Sequence, residues 1–304
     1  MDIRDAFFSS MHNKIKKDKK IILLAVDQGA LAISQIKKDF PNNYFNIGIF
    51  EQTAINFAVG LAHQGYKPYV YLISPFTLRA LEQIKIGLCS MKSKVSIIAS
   101  GPGFTYASDG PTHYFNEDYG ILKNFPNLNF FATSDHYSAI KAFKESYKSK
   151  NPSFIRLEKG SHLKLGGKFT NPINYVKKGG NTLVIANGYL SILANKIISK
   201  NKTLKNIGLI DITQIIPLNY KRLIKIAKKY KNILLVDESP FISSINKDIH
   251  YAFLSNKIFL NKKIILLNSK FKYWKIAGNR NYLHKRNNLN EKFITNQIKK
   301  LNND

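Results

Sequence analysis

Residues 45–68, Phe-Asn-Ile-Gly-Ile-Phe-Glu-Gln-Thr-Ala-Ile-Asn-Phe-Ala-Val-Gly-Leu-Ala-His-Gln-Gly-Tyr-Lys-Pro, decide how the rest of the chain is read. The apolar run Phe45–Phe50 predicts a buried strand that ends at an acid, Glu51. Beyond it, Ala54, Ile55, Ala58, Val59 and Ala62 fall at three- and four-residue spacings, which predicts a helix with one apolar face. Gly65 and Pro68 supply its stop signals. An acid at such a junction has two readings. A helix N-terminus favours negative charge, so Glu51 is expected either to cap the helix or to serve chemistry at the end of a strand.

Working outward, the same alternation recurs. Residues 3–18 read as an amphipathic helix. Strands are expected at Ile21–Val26, Tyr69–Ile73, Val95–Ala99, Leu128–Ala132 and Ser153–Leu157, with helical patterns at 31–40, 77–91 and 135–149. Glycine-rich residues 161–180 carry no sustained period and read as a linker. Strands at Thr182–Ala186, Asn206–Asp211, Ile233–Asp237 and Lys263–Leu267 then interleave with helices near 190–200, 219–230 and 243–254, and a last helix at 291–301. Alternating strands and helices predict an α/β protein of two doubly wound domains with mostly parallel sheets, 1–160 and 181–304.

The chain has 304 residues and is 44% hydrophobic, enough for two ordinary cores. No apolar run is long enough to span a membrane, and no secretory leader is visible, so a cytoplasmic protein is expected. The lone cysteine, Cys89, excludes an internal disulfide and reads as a small buried residue. The net charge of +28 raises the question of nucleic acid. Residues 1–164 carry 21 Lys or Arg against 13 acids, and residues 165–304 carry 26 against 6. The excess is mostly scattered lysine, whereas nucleic-acid sites concentrate Arg and aromatics. It reads as a solvated surface, with an anionic partner subunit as a further reading.

The loop Ser100–His113, Ser-Gly-Pro-Gly-Phe-Thr-Tyr-Ala-Ser-Asp-Gly-Pro-Thr-His, should lie beyond the carboxyl end of a strand, where open α/β sheets place ligands. Asp109 and His113 come from one tight turn and are suited to a polar substrate, although a turn-forming Asp-Gly and a surface His fit the segment equally well. No Ser/His/Asp nucleophile motif and no zinc spacing is present, and no metal ligand is assigned.

Taken together, Ile47-Gly-Ile-Phe-Glu51-Gln52, Gly60-Leu-Ala and Gly65-Tyr-Lys-Pro68 resemble the pyrimidine-binding domain of the transketolase family. Phe76-Thr-Leu-Arg79-Ala-Leu-Glu-Gln83 is similar to the family's helix bearing an aromatic that packs on the cofactor. Asp109-Gly-Pro-Thr-His113 resembles its substrate loop. Arg156 falls where the family has an arginine for a sugar phosphate. Asn187-Gly188, Ile216-Pro217-Leu218 and Asp237-Glu238 resemble its C-terminal domain. The resemblance implies thiamine diphosphate as cofactor. Glu51 would hydrogen-bond the pyrimidine nitrogen, so that the cofactor's own exocyclic nitrogen removes the thiazolium proton. Phe76 and Arg79 would line the cofactor, and Asp109 and His113 the sugar.

Departures from the family pattern shape the expectation. Gly-Asp-Gly, part of the family's diphosphate and metal site, occurs nowhere in the chain. The resemblance is therefore to the C-terminal subunit of a split transketolase. A separate N-terminal subunit would bring the diphosphate site and Mg2+, in an α2β2 assembly that moves a two-carbon ketol unit between sugars. Gly101 stands where transketolases have a phosphate-binding His, and Tyr114 replaces a Gln. Ser74-Pro-Phe76 with Arg79 is closer to the deoxyxylulose-phosphate synthase branch, whereas Pro111 favours transketolase. A pyruvate-decarboxylating relative, of that synthase type or like a ketoacid dehydrogenase β subunit, is the alternative. A non-catalytic RNA-binding chain of the same fold is a further one.

Overall fold

The computed structural model describes residues 1–162, 164–166, 172–275 and 278–303. In chain order the strands are β1 (Ile21–Ala25), β2 (Tyr44–Asn46), β3 (Lys67–Ile73), β4 (Ser96–Ser100), β5 (Asn129–Ala132), β6 (Ser153–Leu157), β7 (Ile173–Lys177), β8 (Thr182–Ala186), β9 (Gly208–Ile212), β10 (Gln214–Ile216), β11 (Asn232–Pro240) and β12 (Lys263–Ser269). The helices are α1 (Ile3–Ile15), α2 (Leu31–Asp39), α3 (Glu51–His63), α4 (Leu81–Gln83), α5 (Asp118–Leu122), α6 (His136–Lys148), α7 (Gly188–Lys200), α8 (Tyr220–Ala227), α9 (Ile245–Leu254), α10 (Arg280–Arg286) and α11 (Glu291–Asn303). They form two units. One is Met1–Pro102 with Leu122–His162; the other is Gly103–Ile121 with Leu163–Asp304. The loop after β4 thus belongs to the second unit.

In the first unit six parallel strands lie in the order β5-β6-β4-β3-β1-β2. Side chains alternate across each strand, so Tyr69 and Tyr71 of β3 reach the same face. There they meet α1: Phe8 packs edge-on to Tyr71 at 4.8 Å, and Phe7 lies 6.4 Å from Tyr69 and 5.5 Å from Phe143 of α6. Offset and edge-on rings of this kind add to the burial energy of the core.

Next to that core, Asp18 accepts hydrogen bonds from Lys67 at 2.5 Å and from the Tyr147 hydroxyl at 2.7 Å. Burial alone would raise the Asp18 carboxyl, but the bonds from Lys67 and Tyr147 outweigh it and hold its pKa at about 2. A depressed carboxyl stabilises the fold above its ordinary pKa of about 4 and loses that contribution as pH falls toward 2. The difference in melting temperature between the wild type and Asp18→Asn should therefore be largest above pH 4 and shrink between pH 4 and pH 2. A difference that stays constant across that range would show that the Lys67 contact adds nothing through charge.

Two expectations are corrected. The strand at 45–50 is shorter than its apolar run, because β2 ends at Asn46 and lies at the sheet edge with one neighbour. Its last ladder bond runs from the Ile47 N–H to the Ala25 carbonyl; Gly48 then takes φ +73° and lifts the chain away, leaving Ile49 and Phe50 exposed. The helical pattern at 77–91 resolves into three pieces: 3₁₀ turns at Ser74–Ala80, the short α4, and a π-helical stretch at Ile84–Ser90. Pro75 opens the first of them, and bare Gly87 admits the Val59 side chain of α3, which a Cβ there would meet at 2.9 Å. Single π turns of this sort recur beside functional sites.

In the second unit five strands run β12-β11-β8-β9-β7, parallel except for β7, which pairs antiparallel with β9. β7 falls inside the segment 161–180 read as linker; the rest of that reading lies partly on residues outside the described set. Leu190, Ile197 and Ile198 of α7 pack with Ile294, Ile298 and Leu301 of α11 over Val184 and Leu234. Among the described residues no helix is long and apolar enough to cross a membrane.

Candidate active site

Glu51 opens α3. The N-cap is Phe50, and no side chain caps the helix, so the acid is not spent on the helix end. Its carboxyl is 3% exposed. One oxygen, Oε2, accepts from Arg79 Nη1 at 3.3 Å, while Oε1 is buried with no hydrogen-bond partner. A buried carboxyl oxygen without a partner costs free energy, which makes it a candidate ligand contact. The cleft beside it holds about 410 Å³ and is lined by Ile49, Phe50, Gln52, Thr53 and Arg79, room enough for a planar heterocycle. Phe76 lies on the same turn as Arg79, whose guanidinium sits 5.8 Å from the ring centre. These residues come from the segments after β2 and β3, at the carboxyl ends of parallel strands.

Arg156 is placed differently. It lies on β6, buried, with its guanidinium 5.0 Å over the Phe130 ring, and it does not line the Glu51 cleft.

Asp109 and His113 belong to the second unit and share one turn. Gly110 takes φ +78° there, and the His113 N–H donates to the Gly110 carbonyl at 3.0 Å. Thr112 Oγ1 lies 2.8 Å from His113 Nδ1 and orients the imidazole. The base of the loop is closed by reciprocal bonds between Gly103 and Phe115 at 3.2 Å. Phe104, Ala107 and Tyr114 pack with Trp274 and Leu283, and the Trp274 N–H donates to the Tyr114 hydroxyl at 2.8 Å.

Sequence reasoning missed what secures this loop. Glu238 accepts from Arg280 at 2.8 and 2.7 Å, from buried His284, and from the Phe104 N–H at 3.3 Å. Burial opposes the Glu238 charge, but Arg280 and His284 overcome it and hold the carboxyl well below its usual range. Arg280 also lies 4.1 Å over Tyr189. Gly103 adopts φ +58°, and a Cβ there would stand 1.8 Å from the Glu238 carboxylate. The only sequence signal was the acid pair Asp237-Glu238; α10, which carries both basic partners, shows no long apolar period.

Mostly parallel sheets whose strands alternate with helices place the chain in the doubly wound α/β class. The pattern of the transketolase pyrimidine-binding domain matches residues 1–163. The chain belongs to the transketolase family. By sequence it is 29% identical to the 1-deoxy-D-xylulose-5-phosphate synthase of Lawsonia intracellularis, over 86% of this chain and 42% of that protein. It is also 29% identical to the synthase of Buchnera aphidicola subsp. Schizaphis graminum, over 84% and 44%. The chain spans less than half the length of these curated relatives. In structure it is similar to a split-gene transketolase described as an inactive β4 tetramer, with a TM-score of 0.84 and 19% identity over 99% of this chain and 98% of that one. It is similar as well to the transketolase of Campylobacter jejuni, with a TM-score of 0.78 and 16% identity over 99% and 46%. Membership of this family implies thiamine diphosphate.

Proposed function

We propose that this chain is one subunit of a thiamine-diphosphate-dependent transketolase-type transferase, moving a two-carbon ketol unit between sugars. The observation that carries this reading is the unpartnered Oε1 of buried Glu51, a residue that lines a cleft of about 410 Å³. Glu51 and Arg79 line the cleft and suit the cofactor, while Phe76 lies beside Arg79 outside that lining. Glu51 would hold a proton against a ring nitrogen, Phe76 would offer its face to the pyrimidine, and Arg79 would fix the second carboxyl oxygen. When bound, the cofactor supplies a carbon nucleophile that carries the ketol unit. Asp109 and His113 are assigned to the sugar hydroxyls. Arg156 is assigned to a substrate phosphate through the family resemblance. Residues 1–160, without the 103–121 loop, are assigned to the pyrimidine-binding domain and 181–304 to the transketolase C-terminal domain, and β7 within 161–180 adds a strand to the latter's sheet.

A separate subunit with Gly-Asp-Gly would bring the diphosphate site and most of the Mg2+ ligands, as two copies of each chain in a cytoplasmic α2β2 enzyme. The exposed Ile49, Phe50, Phe57, Leu78 and Ile86 around α3 and the neighbouring turns support a protein partner there, since apolar groups of this size seldom cluster on a solvated surface. Nearly full-length similarity to a split-gene chain supports the same division of labour.

The second reading is a pyruvate-decarboxylating enzyme of the 1-deoxy-D-xylulose-5-phosphate synthase type, favoured by the sequence relatives and by Arg79. The chain mixed with such a partner, thiamine diphosphate and Mg2+ separates the two. Ketol transfer from a ketose to an aldose without gas release is expected. Carbon dioxide released from pyruvate would replace the first reading with the second, and inactivity toward both sugar and pyruvate would remove both.

A further inference from the structure

A second cavity, of about 220 Å³, lies in the second unit where β11 and β12 end. None of its lining residues belongs to the Asp109–His113 turn or to the Glu51 cleft. Two of them are almost fully buried and carry an unsatisfied oxygen. Asn116 is 4% exposed; its Nδ2 donates to the Glu238 carbonyl at 3.0 Å, which fixes the amide and leaves Oδ1 without a partner. Ser269, the last residue of β12, is 5% exposed, and its Oγ is likewise unpartnered. Rings form the walls, among them Phe104 and Tyr114, packed edge-on at 5.3 Å. Lys270 and Lys272 line the same cavity and are exposed, their ammonium groups 5.9 and 5.1 Å from the Trp274 ring; Glu117 lines it as well, its carboxyl accepting from the Asn116 N–H at 3.0 Å.

The chemistry of this lining is selective. An amide carbonyl only accepts, so Asn116 Oδ1 calls for an N–H donor, and Ser269 is able to serve as either donor or acceptor. Aromatic walls suit a flat ring, the Glu117 carboxyl is a second acceptor for an amino group, and the two exposed ammonium groups suit an anion at the cavity's mouth. The cavity is smaller than the roughly 300–1,000 Å³ of sites that enclose drug-sized ligands, so it would admit a ring and leave the charged substituent at the lysines. We infer that this cavity binds a nucleoside monophosphate with an amino-bearing base, the base on Asn116 and Ser269 and the phosphate at Lys270 and Lys272. This inference does not rest on the thiamine diphosphate reading.

Calorimetric titration of the full chain with adenosine 5′-monophosphate tests it. Saturable binding is expected. Inosine 5′-monophosphate puts a carbonyl oxygen in place of the amino group and keeps only the ring N1–H as donor. It should bind at least roughly tenfold more weakly, because that oxygen would face the Asn116 acceptor, and adenosine, which lacks the anion, should also lose affinity. Ser269→Ala should weaken binding several-fold, and Lys270→Gln with Lys272→Gln should reduce the monophosphate to the level of adenosine. Both exposed lysines are replaceable without touching the core, so the double variant keeps the test readable if Ser269→Ala alters folding. Glu51→Gln should bind the monophosphate like the wild type. Absence of saturable binding, equal affinity for inorganic phosphate, or indifference to both the amino group and the lysines would overturn the assignment.

Discussion

Glu51→Gln is expected to lose turnover by roughly a hundredfold or more, the scale of losing a group that governs a proton in the reaction, while the subunit stays folded and assembled. The amide keeps the shape of the side chain but no longer presents an ionisable oxygen at the buried, unpartnered Oε1 position. Stability should change little. Glu51 makes no cap bond, and its ion partner Arg79 is 61% exposed, so the pair contributes at most about 1 kcal/mol. Steady-state rates of the reconstituted enzyme, read beside the rise in melting temperature that thiamine diphosphate gives each form, check this. An unimpaired Glu51→Gln enzyme would remove the ring-nitrogen contact from the proposal.

Glu238→Ala should be the most destabilising single change in the second unit. It strands buried His284 and half-buried Arg280, and breaking one side of a buried ion pair costs up to about 3–5 kcal/mol. The pH dependence has a definite sign. Because Arg280 and His284 hold the Glu238 carboxyl below its ordinary range, its contribution is complete above that range and fades as pH falls through and below it. Urea unfolding of the wild type should weaken in acid, and the variant should show a flatter acid limb. A loss under about 1 kcal/mol would mean that the Phe104–Tyr114–Trp274 cluster, rather than the ion pair, secures the loop.

The doubly wound framework was legible because buried parallel strands such as Ser153–Leu157 and Thr182–Ala186 are short, mostly apolar runs between helical patterns, and the structure places both at their expected limits. The stretch at 45–50 misled for the same reason: its apolar side chains belong to an exposed edge, and an apolar run alone does not distinguish a core from an exposed apolar surface. Glu51 was legible as an acid at a strand-to-helix junction, and Phe76 only through the family resemblance. The missing partner of the Glu51 Oε1 was not legible at all, because the lack of a hydrogen bond is a property of three-dimensional packing. The Glu238–Arg280–His284 cluster was invisible for a related reason: its members are 42 and 46 residues apart.

Residues 103–121 leave one unit and are received by the other, and this has a genetic consequence. A single crossover between related genes just after position 162 would deliver a loop shaped by one ancestor to a carboxyl-terminal body shaped by another. Gly103 would then face an unfamiliar acid, and Phe104 and Tyr114 a tryptophan they had not been fitted to. Productive shuffling of these halves needs three junctions, one on each side of the excursion and one beyond it. Selection should therefore treat the excursion and the distant segment 238–284 as a single heritable block.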